Sequence, residues 1–352
     1  MPTWGELLRE LAALQEAQAL NPPEPGGESA YDILRRKYMR QLSERTGRAV
    51  IVYATAWLEN KEGLNDEVLQ IGLGDVQGFM EAVSNVEERE VDLFLHSPGG
   101  SAEAADSIIQ YLRTRFDHIR VVVPVAAMSA ATMISLAADE ILMGAHSQLG
   151  PIDPQFTVFT PEGPRSAPGQ AIKDQFDMAK EQCQNPANIG AWLPILRSYL
   201  PGLLAQCDHQ RQLAEEFAAR SLERYMFAGD DNAGDKARQT AAWFADFKEF
   251  RSHGRRVGRD EARAQGLNVL DLEADHDLQD AVLSVHHAVE HTLSATGTAK
   301  LIENQHGRAW IKMTQVIQMV PVPAGAPRPL PGGAPGLPQP NRAERRRQQR
   351  GR

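Results

Sequence analysis

Cysteine and lysine are the scarce residues of this 352-residue chain. Its two cysteines, Cys183 and Cys207, cannot build a disulfide framework and lack metal-ligand spacing. The expectation is a reducing, cytoplasmic compartment and no metal. Eight lysines stand against 29 arginines. Arginine keeps its charge, so any chemistry that needs a deprotonatable amine has few candidates. No apolar run approaches the roughly 20 residues that a membrane helix needs. Residues 1–20 carry acids inside their apolar stretch and have no signal-peptide core. The expectation is therefore no membrane span. A formal net charge of −9 argues against non-specific nucleic-acid binding by the whole molecule. What is present is a 42% hydrophobic fraction, which excludes full disorder and suits one large domain or two small ones.

Composition divides the chain. NPPEPGGES at 21–29 interrupts any regular element. It sets apart residues 1–30, an amphipathic helix with Leu7, Leu8, Leu11 and Leu14 on one face, followed by a linker. From residue 319 a proline- and glycine-rich stretch leads to NRAERRRQQRGR, so residues 319–352 are expected to be disordered. That basic tail could dock on an acidic partner. Residues 31–318 remain as the body.

Apolar, β-branched runs recur in the body at Arg48–Ala54, Val91–Ser97, Ile119–Val125 and Glu140–Gly144. Helical patterns separate them at Asp75–Val83 and Ser101–Phe116, with Ala105, Ile108, Ile109 and Leu112 three and four apart. This alternation predicts an α/β fold on a parallel sheet covered on both faces. Residues 190–300 read as mostly helical, with helices at Leu213–Tyr225, Thr240–Glu249 and Asp260–Gln265. In such a fold the chemistry sits where strands end and helices begin.

Two strand-to-helix junctions stand out. His96-Ser97-Pro98-Gly99-Gly100-Ser101 ends a strand with two glycines, whose N–H groups can approach an anion or a tetrahedral oxyanion closely. The plain alternative is a tight turn with Ser101 as helix cap. Val125-Ala126-Ala127-Met128-Ser129-Ala130-Ala131 places a serine among small residues at the next such turn. Ser129 there is either a nucleophile or an ordinary helix N-cap. The turns are one βα unit apart, so adjacent strands would bring Gly99, Gly100 and Ser129 to one sheet edge. That is an acyl-transfer site in outline.

HSPGGSAEAADSIIQYLR and VVVPVAAMSAATMISLAADEILMGAHSQLGPIDPQ resemble the serine dehydrogenase proteinase family. That family has the Clp protease/crotonase fold and is related to signal peptide peptidase A. The resemblance is close over Val91–Gln155 and covers roughly residues 31–275. It implies a Clp/crotonase-like superhelix of ββα units with a helical C-terminal part. It further implies cofactor-free serine hydrolysis of a peptide or protein substrate, and homo-oligomerisation. Ser129 falls on the family nucleophile, Gly99 and Gly100 fall on the oxyanion turn, and Ala130 supplies the second N–H. Two departures concern the substrate side. Ala131 stands where the family has glycine, and Ala54-Thr55-Ala56-Trp57 where it often has His-Arg-Gln-Glu.

The base for Ser129 is open between two chemistries. A serine–lysine dyad, as in signal peptide peptidase A, leaves only Lys173 and Lys180 between Ser129 and Lys236. Lys173 is favoured because it follows the loop Thr160–Gly169, as a similar lysine does in the family. Lys180 comes second. A Clp-like histidine would be His146, and the segment at the Clp histidine position falls nearer Asp153, which could orient a base. His253, in RSHGRRVG, belongs to a loop that recurs near the substrate in the family. His286, His287 and His291 have helical spacing but lack the glutamate that a zinc-protease helix requires. Two other readings stand beside the peptidase: a non-catalytic assembly or adaptor protein of this fold, and a crotonase-type acyl-CoA enzyme using Glu140.

Overall fold

Seven strands form the central sheet of a computed structural model that describes residues 3–61, 63–160 and 163–314. In chain order the strands are β1 (Ala49–Thr55), β2 (Glu90–His96), β3 (His118–Val123), β4 (Ala126–Ala127), β5 (Glu140–Met143) and β6 (Gln148–Leu149), then β7 (Gln155–Thr160), β8 (Gly163–Pro168), β9 (Val269–Asp271), β10 (Thr298–Asn304) and β11 (Ala309–Met313). The sheet order is β11-β10-β1-β2-β3-β5-β9. The α-helices are α1 (Trp4–Leu20), α2 (Ala30–Thr46), α3 (Asp66–Leu69), α4 (Asp75–Ala82), α5 (Ala102–Arg113), α6 (Ala130–Leu136) and α7 (Gly169–Gln182), then α8 (Ile189–Arg197), α9 (Leu203–Arg224), α10 (Ala233–Ala245), α11 (Phe247–Phe250), α12 (Arg259–Ala264) and α13 (His276–Ala295).

Every residue of β1 is buried, because helices cover both faces of the sheet. Successive side chains of a strand point to opposite faces, and here they enter two separate cores. Ile51, Tyr53, Leu93, Leu95 and Val121 pack against α4, α5, α6, α9 and α10. Val50, Val52, Phe94 and Val122 pack against α1, α2 and α13. From β1 to β5 the strands pair in parallel, as the alternating pattern predicts. The short β4 and β6 leave this sheet and pair with each other. They form a separate two-stranded sheet beside it.

Four expectations need correction. First, the helix expected within residues 1–30 is present as α1 but packs into the body rather than standing apart. Leu7 and Leu11 of α1 are buried in the core shared with α2 and α13, while Leu8 is exposed. Second, the sheet is mixed. β10 and β11 return antiparallel beside β1. β10 (TAKLIEN) escapes strand recognition because its buried positions include Lys300, Glu303 and Asn304. These tolerate burial because each is bonded: Glu303, for example, takes Arg35 at 2.5 Å and Arg36 at 2.7 Å. Third, part of the segment Thr160–Gly169, read as a loop, is the second strand of the hairpin β7–β8. Fourth, α10 ends at Ala245, and Asp246 caps the separate turn α11 through the Lys248 N–H at 2.8 Å.

The described residues lie in one unit, Met1–Gln315. The proline-rich stretch and basic tail, 319–352, lie outside the described residues.

Candidate active site

β2 is buried up to His96, and the chain then turns through Ser97-Pro98-Gly99-Gly100. Gly99 has φ +100° and Gly100 φ +151°. A Cβ on Gly100 would stand 2.3 Å from the Ile71 carbonyl oxygen, so only glycine fits. Close approach is the purpose of this turn. The Ile71 N–H donates to Gly99 O at 2.7 Å, and the Ser101 N–H donates to Ile71 O at 2.9 Å. In a trans peptide the N–H points opposite to the C=O. With Gly99 O held on Ile71, the Gly100 N–H is turned the other way. Ser101 is the helix cap that its position suggests, accepting from the Ala104 N–H at 3.1 Å.

Ser129 is not a cap of that kind. It stands immediately before α6 but makes no side-chain capping bond. Its backbone has φ 51° and ψ −119°, a conformation a non-glycine residue holds only when its surroundings enforce it. The cost of such strain is about 1–3 kcal/mol. The enforcing contacts are β4 and the first turn of α6. The Ser97 N–H donates to Ala126 O at 3.1 Å, and the Met128 N–H to Ser97 O at 3.0 Å. The Ala131 N–H then donates to Met128 O at 2.9 Å. A strained strand-to-helix turn lifts the serine hydroxyl clear of its own helix. The Ala130 N–H is the first of α6 and has no partner one turn back.

The same ladder sets the two junctions side by side. A Cβ on Gly99 would lie 2.6 Å from Ser129 Cβ and 2.9 Å from Ala130 N. Gly99, Gly100 and Ser129 line one cavity of about 810 Å³, which also receives His253. His253 comes from the segment between α11 and α12. Its Nδ1 is 2.8 Å from Asp153 Oδ1. Asp153 is 3% exposed, and its other oxygen accepts from Gln155 Nε2 at 2.9 Å. In the tautomer that donates Nδ1–H to this carboxylate, Nε2 carries the ring's lone pair.

The lysines are elsewhere. Lys173 is ion-paired with Asp208 and lines a neighbouring cavity rather than that of Ser129. The pairing turns the Lys173 ammonium toward Asp208 and away from the Ser129 cavity. Lys180 is exposed and lies 3.3 Å from Asp177. His146 is exposed and folds against Gly144. Glu140, the residue a crotonase reading would use, lies on β5 with its carboxylate 3.9 Å from Arg120. His253 was legible only as a loop residue, and Asp153 only as an orienter. Nothing in a single sequence joins positions one hundred apart.

His286 and His291 are buried in α13, and His291 packs on Trp4 with ring centroids 3.8 Å apart. Among the described residues no group of histidine, cysteine and carboxylate side chains is placed to hold a metal ion. No described helix is long and apolar enough to cross a membrane.

Comparison with known proteins bears on the segment that carries the serine and the glycine turn. Residues 28–164 match the family described as ClpP-like SDH-type serine proteinase. That match bears out the resemblance and the fold read from the sequence. The matched segment contains Ser129, the glycine turn and Asp153, whereas His253 lies beyond it. Two uncharacterized proteins of Methanocaldococcus jannaschii are similar to the chain. One is 33% identical over 128 residues, which are 35% of this chain and 43% of that protein. The other is 32% identical over 131 residues, 36% of this chain and 44% of that protein. The chain thus spans less than half the length of these curated relatives. Among solved structures, a mutant of a membrane-bound stomatin-specific protease aligns over 60% of this chain and 79% of its own, at 16% identity and a TM-score of 0.35. That likeness is too loose to carry over any residue.

Proposed function

We propose that the chain is a serine peptidase in which Ser129 is the nucleophile, His253 the general base and Asp153 the group that orients it. The observation carrying this reading is that Ser129, freed from capping, and His253, anchored by Asp153, line one cavity with the Gly99–Gly100 turn. His253 Nε2 takes the proton of Ser129 Oγ as the oxygen attacks the peptide carbonyl carbon. The carbonyl oxygen becomes an oxyanion held by the N–H groups of Gly100 and Ala130. Such donors are worth about 3–4 kcal/mol each where one has been removed and measured. The imidazolium then passes its proton to the leaving amine as the C–N bond breaks. Water, activated by the same histidine, hydrolyses the acyl-enzyme. Asp153 stays ionised and stabilises the imidazolium.

A histidine base takes the place of the lysine that the sequence favours. Lys173 lines a different cavity from Ser129, whereas His253, held by the Asp153 carboxylate, lines the same one. The substrate is a peptide or protein, and the chemistry calls for no cofactor.

The test is labelling with a fluorophosphonate, followed by peptide mapping and by comparison of two variants. Adduct on Ser129 that is lost in His253→Ala and kept in Lys173→Met is the expected result. Loss in Lys173→Met with retention in His253→Ala would overturn the assignment of the base. No adduct on Ser129 in the wild-type chain would overturn the hydrolase reading itself.

A further inference from the structure

The proposed oxyanion donor Gly100 is held from behind by a buried polar chain that begins 200 residues away in sequence, on β10. Lys300 is fully buried. Its ammonium donates to both oxygens of Asp75, at 2.9 and 2.7 Å, and to the Gln70 carbonyl at 2.7 Å. All three of its donors are therefore used. Asp75, at the start of α4, is equally buried and accepts from two further groups through one oxygen: the Tyr53 hydroxyl at 2.8 Å and the Gly72 N–H at 3.0 Å. The carbonyl of Gln70 and the N–H of Gly72 flank Ile71 on either side. Ile71 is the residue on which the Gly99 carbonyl and the Ser101 N–H are pinned. Lys300 and Asp75 thus clamp the short backbone stretch against which the oxyanion turn is laid.

A second path reaches the same turn. The hydroxyl of Tyr53 also faces that of Ser97, which is fully buried. Ser97 Oγ in turn accepts the Gly99 N–H at 3.2 Å. Tyr53 gives its proton to Asp75, so its oxygen presents only lone pairs to Ser97, whose own oxygen serves Gly99. Both ends of Gly99 are therefore fixed, its N–H through Ser97 and its C=O through Ile71. Both paths converge on Asp75.

A simpler account would make Lys300–Asp75 a structural ion pair. A buried pair is weak evidence for stability, because desolvation offsets most of the attraction. This pair does more than neutralise itself. Its remaining bonds go to backbone groups beside Ile71 and, through Tyr53, to the serine that holds Gly99. We propose that Lys300, Asp75 and Tyr53 are positioning residues for catalysis: they hold the Gly99–Gly100 peptide so that the Gly100 N–H faces the reacting carbonyl. The proposal rests on the peptidase reading for its consequence, though not for its geometry.

Two variants test it. Tyr53→Phe removes one hydroxyl and no charge, so the core is kept. Lys300→Met combined with Asp75→Asn removes the clamp without stranding a buried charge. In each, the rate constant for phosphonylation of Ser129 per labelled site is expected to fall about ten- to a hundredfold, the loss typical of a misplaced catalytic group. The concentration giving half-maximal rate should change little, since ground-state binding does not use the oxyanion donor. A structural role alone would lower the melting temperature or the fraction of sites that label, with the rate constant intact. That result overturns the proposal. Amide hydrogen exchange judges the network independently of catalysis. Exchange at Ile71, Gly99 and Ser101 should quicken in Tyr53→Phe while that of β1 and β3 holds, and unchanged exchange at all three would overturn the proposal even in a chain that never labels.

Discussion

His253 Nδ1 lies 2.8 Å from Asp153 Oδ1, and the carboxylate is buried while the imidazole is part-exposed at the Ser129 cavity. An acid buried behind a histidine fixes the tautomer of the ring and lets its other nitrogen serve the cavity. Asp153 follows β6 directly, on the strand-rich half that carries Ser129. His253 arrives from the helical half. The site is therefore assembled from both halves of the chain.

Replacing His253 by alanine should lower turnover by about 10²–10⁴, the range for loss of a general base. Asp153→Asn should cost nearly as much, because an amide permits the wrong tautomer. Lys173→Met should change turnover less than about threefold, a small effect against that range. Steady-state hydrolysis of a peptide library by purified variants decides among these. Equal losses for Lys173→Met and His253→Ala would count against the histidine.

Strain at Ser129 makes a second prediction. Glycine adopts its left-handed backbone freely and alanine does not. Ser129→Gly and Ser129→Ala should both be inactive, yet the glycine variant should be more stable than the alanine one by about 1 kcal/mol. Denaturant titration of the two proteins measures this directly. Equal midpoints would mean that Ser129 carries no strain.

Gly99→Ala should disable the site without touching any reacting side chain. The new Cβ would stand 2.6 Å from both Met128 O and Ser129 Cβ, at a φ of +100°. Backbone cannot yield there without moving the serine. We expect a loss of about 2 kcal/mol or more in stability and at least a hundredfold in turnover. A variant with normal turnover would show that the two turns can part without consequence.

Glu290 of α13 makes stability depend on pH. Burial, assisted by the nearby Glu59 and opposed by Lys61, pushes its carboxyl up to about 7. Its neighbour His96, 3.9 Å away, is pushed down to about 4 by burial. Between those values both groups are neutral and form no ion pair. The folded protein keeps the Glu290 proton that the unfolded chain releases near pH 4.5. Stability from this group is fully present below pH 4.5 and is lost as pH rises through about 7. The change amounts to about 3 kcal/mol. His96 acts in the opposite sense at the acid end. Comparing Glu290→Gln with the parent cancels it: the variant should gain on the parent steadily from pH 5 to pH 8 in thermal unfolding. A pH-independent difference would refute the buried neutral carboxyl.

Much of the strand-rich half was legible before folding. The run AVIVYA is apolar on both faces, and only a sheet covered on both sides accommodates that. Glycines at 99 and 100 and small residues around Ser129 marked both turns, because close backbone approach excludes a Cβ. By contrast β10 stayed hidden. Its buried Lys300, Glu303 and Asn304 look like surface residues until Asp75, Arg35 and the Ala82 carbonyl are seen to meet them. Leu7 and Leu11 were legible as one face of a helix, but the core that face enters belongs to α2 and α13.

Local pattern therefore determined β1, β2, β3 and β5, the two turns and the serine, since each depends on residues a few positions apart. Tertiary structure alone decided the partners. Which histidine meets Asp153, and which lysine is held in an ion pair, depend on distances between side chains far apart in the chain. Those distances follow from how helices pack on the sheet, and no short-range periodicity encodes them.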